Sequence, residues 1–268
     1  MKKKKFIFLI ILAPIFLVGI ATYQYIKNDT SFDEFNPPEI NKSLSPSRDK
    51  IRLGIIGDSW VADNNLKNAI KVNLIESGVT PQISNYGHPG AKSRQILRNL
   101  FLSENKKYSS KSILTGNNID YLVIVAGVND TAGHIGKEFY AHHISLLIKY
   151  SLANGIKPLV LEIPEYGIEE EQPNNLLSFV KKVVYIWLFD DGEVDIINQY
   201  RNHLKDNLAQ SELLNSTIII PFSSITNDYK SNLSLYKNPS HLNSKGYSKL
   251  GNMISHVVLD TWKNDTSK

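Results

Sequence analysis

Four short blocks, far apart in the sequence, contain side chains that acyl transfer requires. In the first, Gly57-Asp58-Ser59 follows an apolar run, which would place the Ser59 hydroxyl near the free N–H groups at the start of a helix. A hydroxyl there can act as a nucleophile, although Asp58 or Ser59 could equally serve only as the helix cap. In the last block, His241 precedes the final predicted helix and offers an imidazole that could accept the serine proton.

The two middle blocks supply hydrogen-bond donors. Gly90 lies in the loop that follows the second predicted strand, and Asn129 lies in the loop that follows the third. The N–H of a glycine can approach an oxyanion closely, and an asparagine amide is a neutral donor. Both blocks also have the composition of ordinary turns. They acquire a chemical meaning only if the fold brings them to Ser59 and His241.

The elements that must position these residues alternate along the chain. Strands are predicted at 51–57, 81–87, 120–127, 157–164 and 216–222, and helices at 63–77, 91–103, 137–154, 174–189, 194–210 and 244–262. This alternation predicts an α/β fold with three layers (α/β/α) around a central parallel sheet of about five strands. Because ligands bind at the carboxyl ends of such strands, the blocks should meet at one edge of the sheet.

Taken in order, the four blocks resemble those of the SGNH hydrolases, the superfamily also known as GDSL-type esterases, lipases and acyltransferases. The matching blocks are Gly57-Asp58-Ser59, Asn85 through Gly90, Gly127-Val128-Asn129-Asp130, and Asn238-Pro239-Ser240-His241. The resemblance spans residues 51 to about 262 and implies the flavodoxin-like SGNH fold.

The resemblance also implies a role for each site residue. Ser59 would be the nucleophile and His241 the general base that takes its proton. The oxyanion hole would consist of the N–H groups of Ser59 and Gly90 together with the side chain of Asn129. These roles agree with the chemistry, because a serine hydroxyl needs a neighbouring base and its oxyanion needs donors.

One residue departs from the family pattern, in which an aspartate stands three residues before the histidine. Here that position is Asn238, whose carbonyl can orient an imidazole but carries no charge. Three interpretations are open: a Ser-His dyad oriented by Asn238 or a main-chain carbonyl, a carboxylate supplied by Asp228, or a weakened or inactive protein. We favour the first, because Ser59 and His241 are both kept in their blocks.

The N-terminus predicts attachment to a membrane. Lys2 to Lys5 precede residues 6–23, an uncharged apolar segment of roughly 18 residues, near the lower limit for crossing a bilayer. We expect residues 1–26 to be a single-pass anchor or, as the rival interpretation, a cleaved signal peptide, and residues 27–50 to be a polar linker. Residues 51–262 would form an extracytoplasmic domain, at the cell membrane or secreted or periplasmic after cleavage, followed by a tail at 263–268.

Composition excludes several other classes of function. The chain has no cysteine, and its net charge of +4 includes the four N-terminal lysines, so disulfides, thiolate chemistry and a nucleic-acid-binding surface are not indicated. His88, His134 and the pair His142-His143 have no spacing typical of a metal site. We therefore expect neither a metal nor another cofactor.

Residues 165–215 form a stretch longer than the family core needs, and part of it is unusually apolar. Residues 176–192 are expected to form a helix packed on the domain, with Trp187 and Phe189 in the interface. The alternative is that this helix lines the acyl site, or meets the membrane or a protein partner.

Location and motif together predict an acylated substrate of the cell envelope. We expect a serine esterase or transferase acting on O-acyl groups of carbohydrate, most simply O-acetyl groups on a small molecule or polysaccharide. Hydrolysis and transfer share the acyl-enzyme, so the sequence does not choose between them. A lipase or thioesterase is the enzymatic alternative. A non-catalytic protein that binds or assembles polysaccharide is the alternative of another class, and Asn238 keeps it open.

Overall fold

The computed structural model describes Gly19, Lys27 and residues 30–33, 45–115, 119–173 and 175–267. The chain divides into two units, Met1–Asp33 and Glu34–Lys268, and every element described below belongs to the second. Among the described residues, no helix is both long and apolar enough to cross a membrane. The predicted anchor at 6–23 lies outside the described residues, apart from Gly19, and so do residues 34–44 of the predicted linker.

Five parallel strands form the central sheet, in the order β2-β1-β3-β4-β5. The strands are β1 (Ile51–Gly57), β2 (Pro81–Gly87), β3 (Tyr121–Val125), β4 (Lys157–Leu161) and β5 (Ile218–Ile220). Every residue of β3 is buried, as is all of β1 except Arg52, because helices cover both faces of the sheet. The predicted α/β fold with its five-stranded parallel sheet is confirmed.

Helices connect the strands and form the outer layers. They are α1 (Ser59–Ala62), α2 (Asn65–Glu76), α3 (Ser93–Asn99), α4 (Ser112–Thr115), α5 (Val128–Ala132), α6 (Lys137–Ala153), α7 (Leu176–Phe189), α8 (Ile197–Gln210) and α9 (Ser244–Thr266). Helices α2 and α9 pack together, and α6 packs between α3 and α8. The connection from β1 leads to β2 on one side of β1, whereas the later connections lead to strands on its other side. Because such connections are right-handed, the helices of the first connection and those of the later ones lie on opposite faces of the sheet.

Several predicted boundaries differ from the structure by one to four residues; the third strand, for example, was predicted at 120–127 and is Tyr121–Val125. The helix expected at 63–77 begins only at Asn65, because Asn64 adopts a left-handed backbone (φ +63°) that separates α2 from the short α1 before it. The last helix continues to Thr266, so most of the predicted tail at 263–268 is helical. Just before α9, β6 (Tyr236–Asn238) and β7 (His241–Leu242) form a small antiparallel hairpin that the sequence did not predict.

The predicted interface of α7 is wrong for Trp187. Within α7, all of which is described, only Tyr185 is buried, whereas Trp187 is 73% exposed. Phe189 does pack on the domain, with its ring 5.9 Å from that of Phe139. The helix is apolar on nearly all sides, so its sequence did not show which side faces the domain.

Helices α2 and α9 approach each other closely at Gly251. A Cβ atom at this position would lie 2.4 Å from Cβ of Ala69 and 2.9 Å from its carbonyl carbon. Ser255, one turn further along α9, donates a hydrogen bond to the carbonyl of Ile70 at 3.2 Å. The absence of a side chain at residue 251 therefore determines how near α9 lies to α2.

Replacing Gly251 by alanine should destabilise the protein by about 1–3 kcal/mol, because overpacking outweighs the gain of up to about 1 kcal/mol in helix propensity. The measurement is urea unfolding of the full chain followed by circular dichroism. The exposed Ser248→Ala variant of the same helix serves as control and should stay within about 0.5 kcal/mol of wild type. A stabilised Gly251→Ala variant would contradict the close contact.

Candidate active site

The strand order reverses beside β1, and the loops after β1, β2 and β3 meet at that point. Two glycines allow this approach: a Cβ at Gly57 would lie 2.3 Å from the carbonyl oxygen of Val125, and one at Gly87 would lie 2.3 Å from the backbone of Ala62. The N–H of His88 donates to the carbonyl of Gly57 at 2.9 Å. This crevice is where a parallel α/β sheet binds ligands, because the loops diverge there.

Asp58, and not Ser59, caps the helix that follows β1. Its Oδ1 accepts a hydrogen bond from the N–H of Trp60 at 2.9 Å. The helix-cap interpretation of this block therefore holds for the aspartate. It leaves the hydroxyl of Ser59 available for a different contact.

That contact is with His241. Oγ of Ser59 lies 2.9 Å from Nε2 of His241, although the two residues are 182 positions apart. The imidazole comes from β7, and the hairpin is attached to α1 by a hydrogen bond of 2.8 Å from Nε1 of Trp60 to the carbonyl of Ser240. Trp60 is fully buried, so this attachment is rigid. The structure thus brings together the serine and the histidine that the sequence singled out.

Asn238 lies on the other side of the imidazole. Its Oδ1 is 3.1 Å from Nδ1 of His241 and accepts the N–H of Ser240 at 3.2 Å. Because a backbone N–H can only donate, it selects the oxygen of the amide rather than its nitrogen for this side. Nδ1 of His241 therefore carries the proton, and Nε2 presents a lone pair to the hydroxyl of Ser59.

Asp228 does not supply a carboxylate to this pair. It is exposed, and its oxygens accept the N–H groups of Lys230 at 3.0 Å and Ser231 at 3.1 Å. The hydrogen bond from the Ser231 side chain, with those two N–H groups, lowers the pKa of Asp228. The carboxylate serves a local turn, and Asn238 is the side chain that reaches His241.

The predicted oxyanion donors lie in the neighbouring loops. Gly90 has φ +74°, a left-handed conformation that favours glycine, and no atom lies within 4 Å of the position that a Cβ would occupy, its chain neighbours aside. Nδ2 of Asn129 donates to Oδ2 of Asp58 and to the carbonyl of Ala91, both at 3.1 Å. Asn129 thus joins the three loops, and both of its amide hydrogens have protein acceptors. Donation to an oxyanion would require it to exchange one of them.

Two buried carboxyl groups support these loops. Burial raises the pKa of Asp58 to about 7, opposed by hydrogen bonds from Trp60 and Asn129. Burial likewise raises the pKa of Asp130 to about 6, opposed by the hydroxyl and N–H of Ser93, which donate to it. Asp130 follows Asn129 directly, so the bond to Ser93 fixes the segment that carries the amide.

Ser59, His241 and Asn238 line a cleft of about 650 Å³. Most of the other side chains in its wall are polar, with one aromatic ring: Asp63, Asn65, Lys237, Asn243, Ser244, Ala62, Pro89, Leu242 and Tyr247. None of the described residues that line it comes from 165–215. The prediction that the apolar helix might line the acyl site therefore receives no support.

The histidines considered as metal ligands lie elsewhere. Among the described residues, no group of three or more histidine, cysteine, aspartate or glutamate side chains could hold a metal ion. His134 is buried with Nδ1 2.7 Å from Oδ2 of Asp190, and His88 stacks on Tyr108 at 3.8 Å. These contacts account for both side chains through packing.

Comparison with known proteins identifies the fold. No protein-family model and no curated protein matches the chain. Among solved structures, a family 3 carbohydrate esterase from Clostridium thermocellum superposes with a TM-score of 0.55 at 15% identity, covering 80% of this chain and 98% of that one. A lipase/acylhydrolase from Enterococcus faecalis superposes with a TM-score of 0.55 at 18% identity, covering 78% of this chain and 95% of that one. A GDSL-like lipase from Bacteroides thetaiotaomicron superposes with a TM-score of 0.54 at 13% identity, covering 90% of this chain and 98% of that one. The chain has the SGNH hydrolase fold, as its blocks predicted.

The buried Asp58 should make the protein less stable as the pH rises. Its pKa is about 7 in the folded protein against 3.8 ordinarily, so between about pH 4 and pH 7 the folded state holds a proton that the unfolded chain has released. Raising the pH through this window therefore lowers the free energy of unfolding. In the Asp58→Asn variant the slope should be shallower by up to about 1.4 kcal/mol per pH unit.

The measurement is urea unfolding at a series of pH values from 4 to 8. The readout is the slope of the unfolding free energy against pH. Its absolute value is not used, because the amide introduced at residue 58 faces the Asn129 amide and changes stability at every pH. Asp260→Asn, which removes an exposed carboxylate of α9, is the matched control. Parallel profiles for wild type and Asp58→Asn would refute the assignment.

Proposed function

We propose that this protein with the SGNH fold is a serine esterase that forms an acyl-enzyme at Ser59, with His241 as its general base. The observation that carries the proposal is the 2.9 Å contact between Oγ of Ser59 and Nε2 of His241. This distance lies within the range for proton transfer between a nucleophile and its base. The opposite ring nitrogen faces a hydrogen-bond acceptor, so the imidazole is in the tautomer that the reaction needs.

The mechanism follows from these positions. Nε2 of His241 takes the proton as Oγ of Ser59 bonds to the ester carbonyl carbon, and the carbonyl oxygen becomes an oxyanion. The N–H groups of Ser59 and Gly90 donate to that oxygen, and the amide of Asn129 joins them by exchanging its hydrogen bond to Asp58 or to the carbonyl of Ala91. His241 then returns the proton to the leaving alcohol as the ester C–O bond breaks. Water, or the hydroxyl of a second acceptor, attacks the acyl-enzyme in the same way.

Asn238 makes this a neutral version of a catalytic triad. Its carbonyl orients His241, as the distance of 3.1 Å indicates, but it adds no negative charge beside the imidazolium that forms during each step. We expect a slow enzyme rather than an inert scaffold. The non-catalytic alternative gives no reason for a serine and a histidine so far apart in sequence to remain in hydrogen-bond contact.

The cleft favours an acylated carbohydrate as substrate. Asp63, Asn65 and Lys237 offer donors and acceptors for sugar hydroxyls next to Ser59 and His241. One of the similar structures is a carbohydrate esterase, which agrees with this preference, while two others are described as lipases. Among the described lining residues, apolar contact comes from Ala62, Pro89, Leu242 and the ring of Tyr247, a small set for a fatty acyl chain, so we propose a short acyl group such as acetyl.

We further propose that the domain works outside the cytoplasmic membrane. The support lies in the sequence: Lys2 to Lys5 would stay in the cytoplasm, and residues 6–23 would cross the bilayer or direct export. Acylated polysaccharide of the cell envelope is then the substrate within reach.

Ser59→Ala and His241→Ala should each lower kcat/KM for p-nitrophenyl acetate by at least about 10³-fold, and the double variant should lose little more, because the pair acts as a unit. The full chain in detergent is assayed, with fluorophosphonate labelling of Ser59 as a second readout. Ser103→Ala, at an exposed serine that does not line the cleft, should keep both the esterase activity and the fluorophosphonate labelling. Labelling that persists in Ser59→Ala would refute the nucleophile. A preference for octanoate over acetate would favour the lipase alternative.

Asn238→Asp should raise kcat by roughly 10-fold or more, since a carboxylate can stabilise the imidazolium. The gain should stay well below the roughly 10⁴-fold effect known for a buried triad aspartate, because residue 238 is exposed and its charge would be screened. Asn238→Leu, without an acceptor, should lower kcat. Asn264→Asp adds the same charge at an exposed position of α9 and should change nothing. Equal rates for all three variants would show that residue 238 does not orient His241.

A further inference from the structure

Helix α7 is held to the domain by one side and by its C-terminal end. Tyr185 is buried, and its ring lies 5.3 Å from that of Phe189. Asp190, the residue after the helix, is buried with its Oδ2 2.7 Å from Nδ1 of the buried His134. Since a buried hydrogen-bonded pair tolerates little movement, these contacts fix the rotation of the helix about its axis.

The opposite side of α7 is an exposed apolar strip, which we call the outer face. Leu176, Val180, Val183 and Trp187 recur at intervals of four, three and four residues, so they form one line along the helix. All four are exposed, from 39% for Val183 to 78% for Leu176. Leu177, Phe179 and Leu188 flank the line and are exposed as well. Soluble surfaces rarely carry a contiguous apolar strip of this kind, which is typical of an interaction site.

The N-terminal segment indicates what covers the outer face. Residues 6–23 are apolar and follow four lysines, and the 27 residues from 24 to 50 can span at most roughly 97 Å. A chain anchored in this way keeps its domain permanently within reach of one bilayer, so even a weak affinity for lipid would suffice. Tryptophan, leucine and phenylalanine are also the side chains that enter the boundary between headgroups and acyl chains.

We propose that the outer face of α7 docks on the surface of the lipid bilayer to which the N-terminus is attached. The helix would lie in the plane of the membrane, with Trp187 and Leu176 among the upper acyl carbons. Tyr185 and the Asp190–His134 pair would transmit that orientation to the domain. This second contact goes beyond the esterase chemistry and does not depend on Ser59.

Tryptophan fluorescence tests the proposal directly. The full chain is reconstituted into vesicles of phosphatidylcholine and phosphatidylglycerol whose acyl chains carry bromine near the headgroup. Trp60 is fully buried, and Trp262 is half-buried, so Trp187 should provide most of the quenched signal. We expect the quenched fraction to fall by at least half in Trp187→Phe. Equal quenching of the two proteins, or failure of the full chain to float with the vesicles, would overturn the proposal.

Hydrogen exchange distinguishes lipid from other occupants. Amides of 176–189 should exchange more slowly when the full chain is bound to vesicles than when the same protein is measured without vesicles. The double variant Leu176→Glu/Trp187→Glu should abolish this difference. Ile75→Glu, at a residue of α2 that is 53% exposed, is the matched control and should retain it. Protection that rises with protein density at constant lipid would identify a second copy as the occupant and overturn the proposal. Circular dichroism verifies that each variant is folded. Neither fluorescence quenching nor hydrogen exchange uses esterase activity, so the docking proposal can fail or hold independently of the proposed function.

Discussion

The amide of Asn129 joins the loops that follow β1, β2 and β3. Its two hydrogen bonds, to Asp58 and to the carbonyl of Ala91, hold the nucleophile segment and the glycine segment against the end of β3. Asp58 in turn caps α1 and so orients Ser59. The arrangement places a carboxyl group in a fully buried position, which raises its pKa and costs stability near neutral pH. Stability is thereby reduced at the point where position matters most for the proposed chemistry.

The proposed catalytic pair depends on a second, separate support. His241 lies on a two-stranded hairpin, and the indole N–H of Trp60 binds the carbonyl of Ser240 in that hairpin. Nucleophile and base are therefore attached to each other through neighbouring residues as well as through their own contact. Asn238 completes the support with a neutral acceptor, so the geometry of a triad is present while its negative charge is absent.

Apolar runs and glycines at strand ends are local signals, so they predicted the sheet. The roles of Ser59 and His241 came instead from the resemblance of the four blocks to a known superfamily. The sequence placed the start of α2 two residues too early, because the apolar pattern does not mark the left-handed Asn64 that precedes the helix. It placed Trp187 in an interface, since a helix that is apolar on all sides gives no sign of which side the domain covers. The pairs Asp130–Ser93 and Trp60–Ser240 depend on distant segments, so no local pattern could reveal them.

The separation of 182 residues between Ser59 and His241 has a consequence for biosynthesis. The histidine lies just before α9, and α9 reaches its position only by packing on α2, which follows the serine closely. A nascent chain therefore holds its hydroxyl without a partner until the C-terminus has emerged and the last helix has docked. The pair would assemble only after the last helix has docked, so an unfinished chain would lack the contact between the proposed nucleophile and its base.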